Sequence, residues 1–213
     1  MDLITFVGFK SSGKTTAAHA LLSYGYHSLS FADALKDALA AIFCWDRVLL
    51  EGLTDESREW REQVDLWWAE KLGIPDFTPR WAMMHIGTDV MRQRFHPDIW
   101  VYNVERRLQQ SDGPVVIIDA RFPNEIDLTH RYGGRVIRIK RGDDPWWFGI
   151  AIEANAGCDI ARHRLEEIRV HRSEYAWIGS FVDDEIANNG SIADLCAQTI
   201  RLSQSPPRLR FLA

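Results

Sequence analysis

The chain carries no excess of positive charge: 25 lysines and arginines stand against 30 aspartates and glutamates, a formal net charge of −5. No overall basic field draws it to nucleic acid, so a polynucleotide partner is not expected. Cysteine is scarce. Cys44, Cys158 and Cys196 are far apart and odd in number. That argues against a disulfide framework or a cysteine metal site and points to a reducing compartment. No apolar run reaches the ~18 residues of a membrane span, so no membrane partner is expected. The first residues enter a strand-like run directly, which predicts no secretory leader. Internal repeats and low-complexity linkers are missing as well. What remains is 213 residues, 46% of them hydrophobic, enough for one α/β domain with a sizeable core.

Against that background one segment stands out: Gly8-Phe9-Lys10-Ser11-Ser12-Gly13-Lys14-Thr15. It satisfies G-x-x-x-x-G-K-[ST], the phosphate-binding loop. An apolar run, Leu3–Val7, leads into it, and Lys14–Leu22 leaves it at helical spacing. Strand, loop and helix are the context this motif requires. Its glycines let backbone N–H groups close on a phosphate, and the helix adds free N–H groups and the positive end of its dipole. Lys14 can reach the β- and γ-phosphates, and Thr15 can offer its hydroxyl to Mg²⁺.

Further along, Tyr26–Ala32 reads as a second strand. A helix is predicted over Asp33–Phe43, with Asp33 as N-cap and Leu35, Leu39 and Ile42 on one face. Residues 45–77 are rich in Trp and charge and read as helical pieces. Thr78-Pro79-Arg80 supplies a cap and a first-position proline for a helix running through Met83, Met84, Ile86 and Val90 to Phe95. His96-Pro97-Asp98 breaks it before a helix over Ile99–Leu108. Val115–Asp119 reads as a strand buried on both faces. A helix over Asn124–Tyr132 ends at Gly133-Gly134, and Arg135–Arg141 is a strand. Residues 142–173 are polar and poorly periodic. Phe181–Ile186 reads as the last strand and Ser191–Leu202 as a final helix capped by Ser191. The tail from Ser203 is expected to be loose. Strands alternating with helices predict a parallel sheet covered on both faces, whose phosphate ligands sit at the carboxyl ends of the strands.

Several other positions carry chemistry. Asp119 ends the most hydrophobic run, where a carboxylate can hold Mg²⁺, usually through water. Arg121, two residues on, faces the same crevice, and its rigid fork of donors suits a phosphate. Lys36 and Asp37 fall in the first turns after strand two. Arg80, Arg92 and Arg94 lie along or just beyond one helix, where arginine is usually a surface residue. The stretch 142–173 follows Arg141 and contains Arg162, Arg164, Arg169 and Arg172 with His163 and His171. Mobile arginines closing over a nucleotide would look like this, as would a plain charged surface. Interleaved acids (Asp143, Asp144, Glu153, Asp159, Glu166, Glu167) speak against a nucleic-acid groove. Of nine tryptophans, Trp100, Trp146 and Trp147 are the better candidates for stacking on a base.

These blocks in order resemble the phage-type deoxynucleoside monophosphate kinases, a branch of the adenylate-kinase-like P-loop kinases. The similarity runs over nearly the whole chain. It rests on Gly8–Thr16, Phe31–Leu39, Arg80 with Ile86-Gly87-Thr88-Asp89, and Phe95–Trp100. It continues in Ile118–Glu125, Gly133–Ile137, His171–Glu174 and Asn188–Ser191. The resemblance implies a five-stranded parallel sheet of order 2-3-1-4-5, a helical acceptor region near residues 33–110 and a lid near 142–173. It implies ATP or dATP with Mg²⁺ as donor and a deoxynucleoside monophosphate as acceptor. Ser11, Ser12, Gly13, Lys14, Thr15 and Thr16 then hold the donor phosphates, with Arg141, Asn188 and Gly190 also on the donor side. Lys10, Asp33, Lys36, Arg80, Gly87, Thr88, Trp100, Arg121, Glu125 and His171 lie toward the acceptor. Lys14, Arg121 and Arg141 act on the transferred group, and Thr15 and Asp119 hold the metal. The setting is the cytoplasm, of a cell or of an infected host, and Trp-rich helices would suit a homodimer.

A phosphate monoester brings its own anionic nucleophile, so the expected reaction needs positioning, charge neutralisation and exclusion of water rather than a covalent intermediate. Two other readings stay open. A dephospho-coenzyme A or shikimate-type kinase would share the loop and lid but not the ordered Lys36, Arg80 and Thr88. A polynucleotide-stimulated ATPase would hydrolyse ATP without an acceptor.

Overall fold

The computed structural model describes residues 2–205. They divide into two units: the residues up to Ser30 together with those from Val104 onward, and Phe31–Asn103. The strands are β1 (Leu3–Val7), β2 (His27–Leu29), β3 (Val115–Ile117), β4 (Arg135–Lys140) and β5 (Asp184–Ala187). The first helices are α1 (Lys14–Leu22), α2 (Asp33–Phe43), α3 (Asp55–Glu62), α4 (Leu66–Leu72), α5 (Pro79–Met84) and α6 (Ile99–Leu108). After β3 come α7 (Pro123–Arg131), α8 (Phe148–Asn155), α9 (Asp159–Glu167), α10 (Arg172–Tyr175) and α11 (Ile192–Ser203).

All five strands belong to the first unit and pair in parallel in the order β2-β3-β1-β4-β5. That is the expected 2-3-1-4-5 sheet. β1 sits in the middle because every one of its side chains is buried, as a strand covered on both faces demands. Its single polar residue, Thr5, meets the Thr129 hydroxyl of α7 at 2.6 Å, so the buried hydroxyls satisfy each other. Ile4, Phe6, Val116, Ile137, Ile139 and Ile186 of the sheet pack with Ala17, Ala18, Leu21 and Leu195 from α1 and α11.

Several boundaries differ from expectation. β2 is only three residues long and β3 stops at Ile117, so Asp119 lies in the turn beyond the strand. The last strand begins at Asp184, later than Phe181. Residues 142–173, polar and poorly periodic in sequence, are largely helical: α8 and α9 pack on each other with Ala151, Ala154, Ala161 and Leu165 buried. Small residues at those positions gave a weak apolar period. The last helix ends at Ser203, one residue beyond the expected Leu202 and where the tail is expected to begin. Arg135 donates to the Leu202 carbonyl and, at 3.0 Å, to that of Ser205; the rest of that tail, 206–213, lies outside the described residues.

The second unit is helical. α2 spans the expected residues, but Ala32 occupies the cap position and Asp33 the first turn. Ile42 is 57% exposed, and Phe43 takes its place inward. There Phe43 stacks on Trp45 at 4.6 Å and meets Trp68 and Phe77. The Trp-rich stretch therefore makes the core of this unit, as bulky aromatics usually do. Thr78 caps α5 by accepting from the Trp81 amide at 3.0 Å, with Pro79 first in the helix. The helix then widens over His85–Phe95, where His96 N–H reaches back five residues to Met91. Such widening changes which side chains face inward. It explains why Val90 is exposed while Thr88 and Arg92 are buried.

Candidate functional site

The site of the first unit is built at the carboxyl end of β1. Gly8 ends the strand at φ +138°, and a Cβ there would lie 2.4 Å from the Ile139 carbonyl oxygen of β4. Backbone meets backbone at that point, so no side chain can be admitted without moving the sheet. Gly8→Ala is expected to lower stability by about 2 kcal/mol. An unchanged urea midpoint would contradict this account of the turn.

From Gly8 the chain winds back on itself. Ser11 adopts φ +62°, and Ser12 N–H donates to the Phe9 carbonyl at 3.2 Å. Gly13 stands at the head of α1 with φ +108°. Lys14 folds into the ring so formed. Its Nζ donates to the carbonyls of Gly8 at 2.7 Å and Phe9 at 2.6 Å and approaches Ser12 Oγ at 3.4 Å. Burial pushes the Lys14 ammonium down to about 8, and the Arg121 guanidinium pushes the same way. Glu174 and Asp119 pull it partly back. Arg121, Glu174 and Asp119 therefore all lie near enough to act on this ammonium. The loop is a cationic cup with two carboxylates at its rim, the arrangement expected where a polyphosphate and a divalent cation are held.

Asp119 and Arg121 arrive from the turn after β3. Ser30, just past β2, donates its hydroxyl to Asp119 Oδ2 at 2.7 Å and fixes that carboxylate. Arg121 Nη1 reaches Glu174 Oε1 at 3.0 Å. Among the described residues no group of three or more His, Cys, Asp or Glu side chains could hold a metal. Mg²⁺ does not need one, because it is commonly held by one or two protein oxygens together with substrate phosphates and water. The exposed Thr15 hydroxyl beside Lys14, and Asp119 held by Ser30, fit that pattern.

Asn188, after β5, comes to the same loop. Its Nδ2 donates to the Ser12 carbonyl at 2.8 Å and would lie 2.5 Å from any Cβ at position 13. Gly190, Arg141, Lys10 and Ser11 are exposed around this end of the sheet unit, while Ser12 is buried and Thr16 partly so. Two of the residues expected on the acceptor side also have structural tasks. Glu125 is 2% exposed, and its Oε2 accepts from the amides of Arg121 at 2.6 Å and Phe122 at 3.0 Å. It therefore caps α7 and shapes the turn that carries Arg121. His171 caps α10, its Nδ1 accepting from the Ser173 amide at 3.3 Å. On α9, Arg162 pairs with Asp159 of the same helix at 3.1 Å. Trp146 is 74% exposed, whereas the Trp147 ring meets the Phe9 ring edge-on at 5.6 Å.

In the second unit, Lys36 is buried and donates to Glu51 Oε2 at 2.6 Å. Arg47 ties Glu51, Asp37 and Asp33 into the same network. Burial raises the Glu51 carboxyl, but hydrogen bonds and charge from Lys36 and Arg47 outweigh it and hold it below the usual range. Arg80 pairs with Glu62 at 3.4 Å. Trp100 is 8% exposed, and its indole N–H donates to the Gly87 carbonyl at 2.9 Å. That bond fixes the orientation of the indole within the packed unit. Arg92 is buried too, against the usual surface habit, and donates to the Pro97 carbonyl at 3.0 Å. Reasoning from sequence missed Ser30, Glu51 and Arg47. It placed Glu174 in a motif without giving it a role.

No protein-family model matches the chain. It is 33% identical over 154 residues to a protein of Acanthamoeba polyphaga mimivirus described as a candidate deoxynucleotide monophosphate kinase, an alignment covering 66% of this chain and 75% of that one. Among solved structures, dephospho-CoA kinase from Campylobacter jejuni aligns with a TM-score of 0.43 and 17% identity, over 95% of this chain and 96% of its own. Shikimate kinase from Aquifex aeolicus aligns with a TM-score of 0.38 and 13% identity, over 94% of each chain. Among the described residues no helix is long and apolar enough to cross a membrane.

Proposed function

We propose, for a chain that belongs to the deoxynucleotide monophosphate kinase family, transfer of the γ-phosphate of ATP or dATP to a deoxynucleoside monophosphate, giving the deoxynucleoside diphosphate and, correspondingly, ADP or dADP. The observation that carries this reading is electrostatic. Lys14 is folded into a complete phosphate-binding loop, Arg121, Glu174 and Asp119 each act on its ammonium, and Arg121 is paired with Glu174. The loop amides and Lys14 bind the donor phosphates, and Arg121 neutralises charge on the transferred group. Thr15 and Asp119 would hold Mg²⁺, which would supply positive charge to offset that of the donor phosphates. Arg141, Asn188 and Gly190 serve the donor nucleotide. Lys10, Lys36, Arg80 and Thr88 serve the acceptor, and Lys36 enters that role already held in place by Glu51. The lid excludes water, which would otherwise take the γ-phosphate.

A coupled ADP-release assay tests this. The acceptors are dAMP, dGMP, dCMP, dTMP and the four ribonucleotides, with dephospho-coenzyme A and shikimate alongside. ADP formation is expected to depend on at least one deoxynucleoside monophosphate and to be absent with the last two. Turnover on dephospho-coenzyme A alone would move the chain to the second kinase class. ADP release stimulated by polynucleotide without an acceptor would overturn the kinase reading.

A further inference from the structure

We propose that Glu174 is a positioning residue that holds Arg121 beside the phosphate-binding loop until nucleotide phosphate takes the guanidinium over. The inference rests on the reading of Arg121 as a phosphate-binding group. Arg121 is 42% exposed and Glu174 24%, and Arg121 Nη1 finds both Glu174 Oε1 at 3.0 Å and the Ser173 carbonyl at 3.5 Å. Without them this long side chain would gain rotamer freedom, and like charge on Lys14 would drive it outward. One carboxylate answers both effects. It fixes the guanidinium in one direction and supplies counter-charge to two cations that must share a site before any phosphate is present.

A carboxylate can position a group only if it is itself positioned. α10 is four residues long and cannot hold its place by helix formation alone. Three contacts hold it. His171 caps its first turn. Asn155 of α8 donates to the carbonyls of Tyr175 at 2.9 Å and Ile178 at 2.8 Å. The Trp177 indole N–H donates to the Glu174 carbonyl at 3.1 Å, while its ring meets the Phe9 ring at 5.3 Å. Arg138 lies over the other aromatic surfaces of this seat, 5.4 Å from the Trp177 ring and 5.2 Å from the Phe148 ring. Phe9 is a loop residue whose carbonyl accepts from Lys14. The contacts form a circuit: Lys14 to Phe9, Phe9 to Trp177, Trp177 to Glu174, Glu174 to Arg121. The root of the lid thus reaches both cations of the loop.

The arrival of phosphate changes the balance. A polyphosphate repels the Glu174 carboxylate and offers Arg121 a second anionic fork partner. The guanidinium then exchanges one oxygen set for another, with no covalent step.

A double-mutant cycle on the full chain tests this, using Arg121→Ala, Glu174→Ala, both together, and Glu174→Gln. Glu174→Ala is expected to lower kcat about 10-fold, with a smaller change in KM for ATP. Glu174→Gln, which keeps an acceptor for Nη1 but not the counter-charge, recovers only part of that loss. In the Arg121→Ala background, Glu174→Ala has no further effect. Equal effects of Glu174→Ala in both backgrounds would mark a merely structural residue and overturn the inference. The same cycle is run on ATP affinity by tryptophan fluorescence without an acceptor. Non-additive ATP affinities with no transfer to any acceptor would sink the kinase reading and leave Glu174 in its role. Additive affinities alongside normal transfer would do the reverse.

Discussion

Lys14→Met reduces phosphoryl transfer about 10³-fold or more while leaving the fold at least as stable as the wild type. The loss follows from the position of the ammonium, which is the charge inside the ring of loop amides. The gain follows from what holding it there costs. Its ionisation is pushed down to about 8, chiefly by burial, against an ordinary lysine value near 10.4. The unfolded chain therefore binds more protons than the folded one between about pH 8 and pH 10, and wild-type stability rises with pH across that window. Below it the full penalty for burying the cation is present. Methionine keeps the stem and removes the charge, so its melting temperature exceeds the wild-type value most at pH 7 and least at pH 10. The ammonium is also what the donor phosphates meet. ATP affinity of the wild type is expected to fall above pH 8, with proton uptake on binding, measurable by calorimetry in two buffers. Equal ATP affinity at pH 7 and 9.5, or transfer by Lys14→Met at the wild-type rate, would contradict this assignment.

Asp119→Asn is the second large effect. Asparagine keeps the size and still accepts from the Ser30 hydroxyl, which now donates at 2.7 Å, so the turn after β3 survives. The charge does not. The Mg²⁺ concentration for half-maximal activity is expected to rise about 10-fold or more, with kcat reduced about 100-fold. Ser30→Ala, which leaves the carboxylate but releases its orientation, gives a smaller rise in the same direction. A Mg²⁺ titration of the three proteins decides the matter. Superposable curves for wild type and Asp119→Asn would remove the carboxylate from the metal site.

Some of this was legible in the sequence because the physics is local. Leu3–Val7, the glycine spacing of the loop and the cap at Ser191 each depend on neighbours within a few residues, and the structure has them where the sequence puts them. The sheet order followed from the resemblance. What the sequence did not show depends on distant partners. Trp100 reads as a free aromatic until the Gly87 carbonyl is seen beneath its indole nitrogen. The capping task of Glu125 is invisible until the two amides it accepts from are seen. Residues 142–173 gave no period because α8 and α9 meet through alanines, whose burial weighs little against the charges on their outer faces. Ile42 and Phe43 exchanged places because the aromatic core of the second unit lies on one side of α2 only. Glu174 could have been found by asking what neutralises two cations brought to one loop. That question needs Arg121 and Lys14 in the same place, which no spacing in the chain reveals.

The most direct measurement follows the γ-phosphate itself. ATP labelled at that phosphate is mixed with Mg²⁺, the protein and the best deoxynucleoside monophosphate of the panel, and the products are separated. The label is expected in the deoxynucleoside diphosphate, in step with ADP, with little inorganic phosphate formed. Label appearing as inorganic phosphate at a rate indifferent to the acceptor would contradict the proposed transfer.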